Sequence, residues 1–541
     1  MRKISRRRFL TSTAEVAVAV ALPIAPAWLR SFAEEDSTGK VRRLADGWEY
    51  FQGSLDGPWE AWNSSEIAVW NSVTLPHCFN HYDACDPDTP AYRGPGWYRT
   101  HLVIENPYPK GRTLLHFGGA GQTTDVYLGE QNFARHVGGY DQFVVDLTGV
   151  ADEQIIAAAN TPALKPPVST ELKGLRLAIR CDNGRDLDRM PSDLSDFTLY
   201  GGLYRHVSLV YLPAISIEAI HVAVTPGKIG ESATVAVSGR LHGALSPAED
   251  PAIAIEILDP HGNVVAHSST QWSAAPPSHI GFEAERSLES FTLSKPSLWS
   301  PSRPQLYQCR VTLAGANGKH VLTEKFGIRS IHFLEDGPFQ LNGERLLLRG
   351  THRHEDHAGY AAAIPDDVVR QEMHLIKDMG ANFIRLAHYQ QSQLVLDLCD
   401  ELGLLVWEEV PWCRAGVGSD RWQQMGRDKL HNMFDQHFNH PALVFCAYAT
   451  PAAGNSVGSA HHPTRTKALI ATGFRRMSLI RYNALPIAWV KFMMKTPPKY
   501  LQHMSTPCET IDIGHMVVTE KPHSEERNIP YCSPRQRFVR R

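Results

Sequence analysis

Between residues 34 and 212 apolar positions alternate with polar ones in short runs. Residues 100–104, 113–117, 124–128 and 142–146 each show a period of two, and Gly, Asn, Asp and Pro separate them. That period is the pattern of a half-buried strand. No long 3.6-residue pattern interrupts these runs, so an all-β sandwich or jelly roll is predicted over 34–212. From 213 to 330 the runs are more regular. Residues 215–224, 232–241, 252–258, 290–293 and 308–313 read as strands, and Pro296, Trp299, Pro301 and Pro304 mark a turn-rich connection near the end. Several short strands in a segment of this size fit an immunoglobulin-like β-sandwich.

The period changes after residue 331. Strands are predicted at 346–350, 382–387, 404–410 and 443–448, with helices at 366–379, 393–402 and 421–438. In the first helix Val368, Val369, Met373, Ile376 and Met379 share one face. Gly380 and Gly403 follow the first two helices, as C-terminal cap glycines would. Strand–helix alternation with short links predicts a parallel sheet. His352, His354, His388, Glu408, Glu409 and Trp412 fall at the C-terminal ends of its strands. In a β/α barrel that rim carries the chemistry.

Composition narrows the classes. The 54 Lys+Arg against 57 Asp+Glu give a net charge of −3, which argues against a whole-chain grip on nucleic acid. No apolar run is long enough to leave a membrane span in the mature protein. Nine cysteines are scattered without a C-x-x-C pair, so a zinc ribbon or disulfide scaffold is unsupported. Cys78 and Cys85 are near enough in sequence to meet across a loop. The N-terminus has its own logic. Ser5-Arg6-Arg7-Arg8-Phe9-Leu10 precedes a short apolar stretch and the small-x-small site Ser31-Phe32-Ala33. This resembles a bacterial twin-arginine signal peptide. Residues 1–33 are therefore expected to be a leader read by the twin-arginine export machinery, with a periplasmic or secreted mature protein.

Several motifs in order carry a family resemblance. The first domain holds Arg93-Gly94-Pro95-Gly96-Trp97-Tyr98-Arg99, Asp125-Val126-Tyr127-Leu128-Gly129, Gly138-Gly139-Tyr140 with Phe143, and a closing run from Asp196 to Arg205. The last domain holds Phe339-Gln340-Leu341-Asn342-Gly343, Leu348 to Glu355, Asn382 to Tyr389, Leu398 to Gly403, Val406 to Trp412, and Asn439-His440-Pro441. Together they resemble glycoside hydrolase family 2, which includes β-galactosidases, β-glucuronidases and β-mannosidases. The resemblance covers residues 40–445, about three quarters of the chain. It implies a jelly-roll sugar-binding domain over 34–212, the immunoglobulin-like sandwich over 213–330, and the N-terminal half of a (β/α)8 TIM barrel over 331–446. The implied activity is hydrolysis of β-galactoside-like oligosaccharides, with no organic cofactor.

A retaining glycosidase needs an acid/base carboxyl and a nucleophilic carboxylate about 5–5.5 Å apart. Around them the resemblance implies sugar-pocket roles. His354 and His388 would meet hydroxyls, and satisfied loop histidines are the alternative. Arg385 would hold a carboxylate ionised or simply form a structural ion pair. Asp196 would reach the pocket from the first domain or cap its own loop. Of the adjacent Glu408 and Glu409 only one can face the barrel, and Glu409 is chosen for pocket support. Trp412, and with less reason Trp97 and Trp407, would stack on a sugar face if not in the core. No metal is expected, because the family's acidic magnesium-ligand position falls near Cys413; adjacent His461 and His462 rarely share one ion.

The pattern then breaks. Pro451 stands where the family's acid/base Glu is expected, and no Asp or Glu occurs from Cys446 to Cys508. Residues 447–541 are rich in Pro, His, Ser, Met and Arg and do not alternate as strand and helix. A full barrel takes about 250 residues. The segment is read as an aberrant tail after a frame slip near codon 446, with a divergent C-terminal segment as the alternative. Without the carboxylate pair, a non-catalytic carbohydrate-binding protein is the competing function.

Overall fold

The computed structural model describes residues 40–447, apart from 63–68, 84–87, 89, 150–173, 194, 196, 243–251, 272–284, 316–317, 335–336 and 413–418, together with 470–471, 510–513 and 516–519. The expected leader, Cys85, Asp196, Cys413, Pro451, His461 and His462 lie outside these residues.

Among the described residues the first unit has twelve strands, ten in the two sheets of a sandwich and two, the fourth and eleventh, paired with each other. They are β1 (Val41–Arg43), β2 (Trp48–Gln52), β3 (Asn71–Val73), β4 (His77–Cys78), β5 (Pro95–Leu102), β6 (Arg112–Phe117), β7 (Thr123–Leu128), β8 (Gln131–Val137), β9 (Phe143–Asp146), β10 (Leu175–Asp182), β11 (Gly202–Leu203) and β12 (Val207–Leu212). Antiparallel sheets β1-β12-β6-β9 and β3-β2-β5-β10-β7-β8 close over one core, in which Leu115 and Phe117 meet the cluster containing Tyr98, Val126 and Ile179. The strand expected at 100–104 instead runs from Pro95 to Leu102. Its alternation extends back through Trp97 and Arg99, and its partner β10 ends opposite Leu102 at Leu175.

The second sandwich follows with β13 (Ser216–Pro226), β14 (Ser232–His242), β15 (Ala252–Leu258), β16 (Val264–Gln271), β17 (Arg286–Ser294), β18 (Tyr307–Gly315) and β19 (Gly318–Phe326). Antiparallel sheets β13-β14-β17 and β16-β15-β18-β19 bury Val235, Val237, Ile253, Ile255, Val311 and Leu322 between them. The two strands the pattern missed, β16 and β19, are both sheet edges. Val264 and Val265 on β16 and Val321 on β19 are exposed, so their alternation is blurred.

A small antiparallel sheet, β20 (Ile331–Phe333), β21 (Phe339–Leu341) and β22 (Glu344–Arg345), leads into the third unit. That unit is β23 (Gly350–Arg353), α1 (Asp366–Asp378), β24 (Phe383–Leu386), α2 (Gln393–Leu402), β25 (Leu405–Glu409), α3 (Asp420–His437) and β26 (Leu443–Ala447). The four strands lie parallel in chain order, and Ile470–Ala471 pairs antiparallel with β26. Residues 510–513 and 516–519 form a separate hairpin.

Two expectations for this unit are corrected. The strand expected at 346–350 is Gly350–Arg353, because Leu346 N–H bonds back to Phe339 O at 3.0 Å and the apolar run before Gly350 belongs to the approach. Met379 is exposed rather than packed with Val369 and Met373, because it is already the cap residue, past the last full turn.

Helix α3 buries a polar face. Lys429, Asn432, Asp435, Gln436 and His437 are all buried along with Trp422, Met433 and Phe434. A buried charge is tolerable only with partners, and each has one from another element. Lys429 Nζ and Asn432 Nδ2 each donate to Asp141 of the first sandwich at 2.7 Å. Asp435 takes a two-pronged bond from Arg240 of the second sandwich, at 2.6 and 2.7 Å. These bonds bracket the helix between the two β units. Gly138 fits the same junction: its φ is +119°, and a Cβ there would lie 1.9 Å from Lys429 Nζ.

Candidate functional site

Register decides which side chains share a face of the parallel sheet. Across the four strands His352, Arg385, Trp407 and Phe445 are neighbours in one row. Glu409 is two residues beyond Trp407 and so shares its face, while Glu408 points the other way. Glu408 is accordingly taken by α3, where His437 Nδ1 lies 2.7 Å from its Oε2. Glu409 faces Arg385: Nε donates to Oε1 at 2.7 Å and Nη2 to Oε2 at 3.1 Å. His388 Nδ1 stands beside both, 3.2 Å from Glu409 Oε2 and 3.1 Å from Arg385 Nη2. With its proton on Nδ1, the imidazole donates to the carboxylate and keeps Nε2 as an acceptor.

Glu409 is 1% exposed. Burial alone would push its carboxyl up, but the His388 hydrogen bond and the Arg385 charge outweigh it and hold it below its ordinary value. It is therefore a fixed anion, suited to accepting hydrogen bonds and unsuited to donating a proton near neutrality.

Rings close the site on two sides. His354, after β23, meets the His388 ring edge-on at 5.2 Å and the Tyr389 ring at 6.1 Å. Phe197 of the first sandwich stacks on His388 at 5.9 Å and tilts against Tyr389 at 5.1 Å. Tyr140, also from the first sandwich, stacks on Tyr389 at 3.9 Å. The site is thus composite, and Asp196, adjacent in sequence to Phe197, lies outside the described residues. Trp412 sits edge-on to Trp422 at 4.9 Å and packs against the barrel core. Trp97 and Trp407 are buried, the former stacked on Tyr127.

The structure brings together Arg385, His388, His354 and Glu409. The residues joined to them without prior notice are Phe197, Tyr140, Tyr389, Arg205 and Glu355. Each stands inside a quoted motif, but no spacing rule tells that the first domain reaches the barrel rim.

Behind the rings, Arg205 and Glu355 form a buried ion pair at 2.6 Å. The pair also lines an open cleft between the first sandwich and the starts of α1 and α2. There Asp366 takes His206 at 2.9 Å and Arg43 at 3.2 Å. Burial opposes that carboxylate's ionisation, yet the His206 bond and Arg43 bring it down to about 2.

Chemically the rim offers a fixed carboxylate, imidazole donors and acceptors, and an aromatic face. That set suits a ring carrying several hydroxyls. Among the described residues no group of three or more His, Cys, Asp or Glu is arranged to hold a metal ion, and no helix is long and apolar enough to cross a membrane.

Residues 215–329 match the family described as glycosyl hydrolases family 2, and residues 333–469 match its TIM barrel domain. The second match continues past Cys446. The β-glucuronidase of Parabacteroides merdae is 43% identical, with a TM-score of 0.68 over 75% of this chain and 50% of its own. Bacteroides uniformis β-glucuronidase 3 is 44% identical, with a TM-score of 0.68 over 76% of this chain and 50% of its own. A curated β-galactosidase of Thermoanaerobacter pseudethanolicus is 30% identical over 69% of this chain and 46% of its own. The chain spans about half the length of the relatives it matches.

Proposed function

The chain belongs to glycosyl hydrolases family 2, a family of glycosidases with a TIM-barrel domain, and on that premise we propose that its rim cluster is the sugar-holding part of a glycosidase site. The observation that carries this reading is Glu409 held ionised by Arg385 and His388, under the Phe197 ring. His354 and His388 meet sugar hydroxyls. Phe197 presents its face to the ring, and Asp196 is the acidic residue expected to serve the pocket from the first domain. Glu409 accepts from a hydroxyl or orders His388 and Arg385. Trp412 lies against Trp422 and the barrel core.

The first sandwich is read as the family's jelly-roll sugar-binding domain, the second as its immunoglobulin-like domain, and the parallel sheet as the first half of the (β/α)8 barrel. The substrate is a β-glycoside. The expected β-galactoside is widened to include β-glucuronides, because the two solved relatives above carry that name. The leader-like N-terminus supports export to the periplasm or beyond.

Hydrolysis by a retaining route needs a proton donor and a nucleophile besides this pocket. Glu409 cannot donate, because both its oxygens accept from the Arg385 guanidinium. Pro451 stands where the family's acid/base is expected. That favours a second reading for this chain: it binds the sugar without cleaving it. The reading of residues 447–541 as an out-of-frame tail is tested by resequencing from codon 430, where another frame should restore Asn-Glu after β26.

The function is tested on purified protein with galactonolactone, saccharolactone and nitrophenyl β-glycosides. Saturable lactone binding, lost in His388→Ala and without nitrophenol release, is expected. Nitrophenol release that His388→Ala abolishes would replace binding with catalysis. No binding and no release would sink the sugar site altogether.

A further inference from the structure

We propose that Arg205, on the loop between β11 and β12, is a positioning residue for the sugar pocket. It acts from the first sandwich on both barrel loops that carry the pocket's rings, without touching the sugar. The proposal rests on reading the rim as a sugar pocket.

A guanidinium has five N–H donors in a rigid plane. Arg205 makes five hydrogen bonds. Nε and Nη2 donate to Glu355 Oε2 at 3.1 and 2.6 Å, and Nη2 also donates to Gln390 O at 2.8 Å. Nη1 donates to Tyr140 O at 2.7 Å and Gly118 O at 3.1 Å. Three of these acceptors are next to, or part of, the pocket. Tyr140 carries the ring stacked on Tyr389. Gln390 directly follows Tyr389. Glu355 directly follows His354, its own N–H donates to Tyr389 Oη at 3.1 Å, and its Oε1 accepts from Ser392 N at 3.0 Å.

One side chain therefore ties three backbone segments: the loop after β8, the loop after β23 and the loop after β24. These segments hold Tyr140, His354, and His388 with Tyr389. The pair is buried, with side-chain exposures of 7% and 3%. In such surroundings a missing partner leaves an uncompensated charge, so the segments cannot keep their places without it. A binding constellation must be held within about 0.5 Å of its productive geometry, so displacement of a ring weakens the ligand's grip. Lysine cannot substitute well, because its three donors radiate from a point.

The molecule supplies its own control. Arg240 and Asp435 form an equally buried pair, at 4% and 0%, between α3 and the second sandwich. That pair has the same chemistry and reaches none of the pocket rings.

The test uses the full chain and its Arg205→Met, Arg205→Lys and Arg240→Met variants. Thermal midpoint, lactone affinity by calorimetry, and the near-UV circular dichroism of the tyrosines are measured for each. Both methionine variants should lower the thermal midpoint. Only Arg205→Met should weaken lactone binding, by about tenfold or more, and change the tyrosine signal of the Tyr140–Tyr389 stack. Arg205→Lys should fall between it and the native chain, and it carries the comparison if Arg205→Met does not fold. Affinity and tyrosine signal in the Arg205 variants no different from Arg240→Met would overturn the proposal. If the native chain binds neither lactone, the sugar reading fails by itself, and the tyrosine signal alone decides Arg205.

Discussion

Replacing Arg385 by leucine should invert the way acid acts on the stability of the parallel sheet. The Glu409 carboxylate is buried yet ionised, since the opposing effect of burial is outweighed by His388 and Arg385. A carboxyl whose folded pKa lies below its unfolded value of about 4.3 contributes stability above that value. It loses the contribution as the pH falls through the folded value. Through Glu409 the native chain should therefore lose stability as the pH falls below about 4.3. Without the guanidinium, burial dominates and the carboxyl rises above its unfolded value. Removing one partner of a buried pair costs about 3–5 kcal/mol. The Arg385 side chain is 22% exposed and His388 remains, so the lower end applies, about 3 kcal/mol near neutrality. The penalty should then be smaller near pH 5, where the displaced carboxyl takes up a proton and the buried charge is gone. Urea unfolding of the native chain and Arg385→Leu near pH 7 and pH 5 measures it. Arg385→Leu/Glu409→Gln should regain most of the loss near pH 7 and show none of the pH dependence. A penalty equal at both pH values, or no recovery in the double variant, would refute the account of Glu409 as a buried anion held by its neighbours.

Two further outcomes follow from the junctions of α3. Gly138→Ala should destabilise by about 4 kcal/mol, combining the cost of a left-handed residue with displacement of Lys429 from Asp141; a loss under about 1 kcal/mol in denaturant titration would mean that Lys429 moves aside freely. At the other junction, burial would lower the His221 imidazole, but its bonds to Asp435 and Glu285 raise it to about 9. The stability its charge contributes should be complete below its unfolded value, about 6.5, and disappear as the pH rises through about 9. Thermal midpoints should fall across that window and fall less in Glu285→Gln, and a flat native profile there would contradict the pairing.

Much of the fold was legible because burial imposes a period. Strand β15 and helix α2 begin and end where their patterns do, since Ile253, Ile255 and Ile257 alternate inward and Gly403 stops the helix at a φ of +69°. Strands β16 and β19 were missed because residue type does not follow burial there: Val264, Val265 and Val321 face outward while His320 and Glu324 face inward. The barrel side of the site was legible through strand ends: period-two counting turns Arg385 inward and lets only one of Glu408 and Glu409 share its face, while His388 was named as a residue following a strand. Its other half was not. Phe197, Tyr140 and Arg205 reach the rim by domain docking, and docking leaves no periodicity. Likewise the polar face of α3 looks like a solvated face in sequence, yet Lys429, Asp435 and His437 are all buried by matched partners from other elements.

That matched polar face has a consequence for building chimeras. A first sandwich borrowed from a relative would have to bring Asp141 and a backbone acceptor at Gln142 to meet Lys429, Asn432 and Gln436. A borrowed second sandwich would need Arg240 and His221 opposite Asp435. The units are interchangeable only between chains that share both sets, so the helix acts as a compatibility key for recombination within the family.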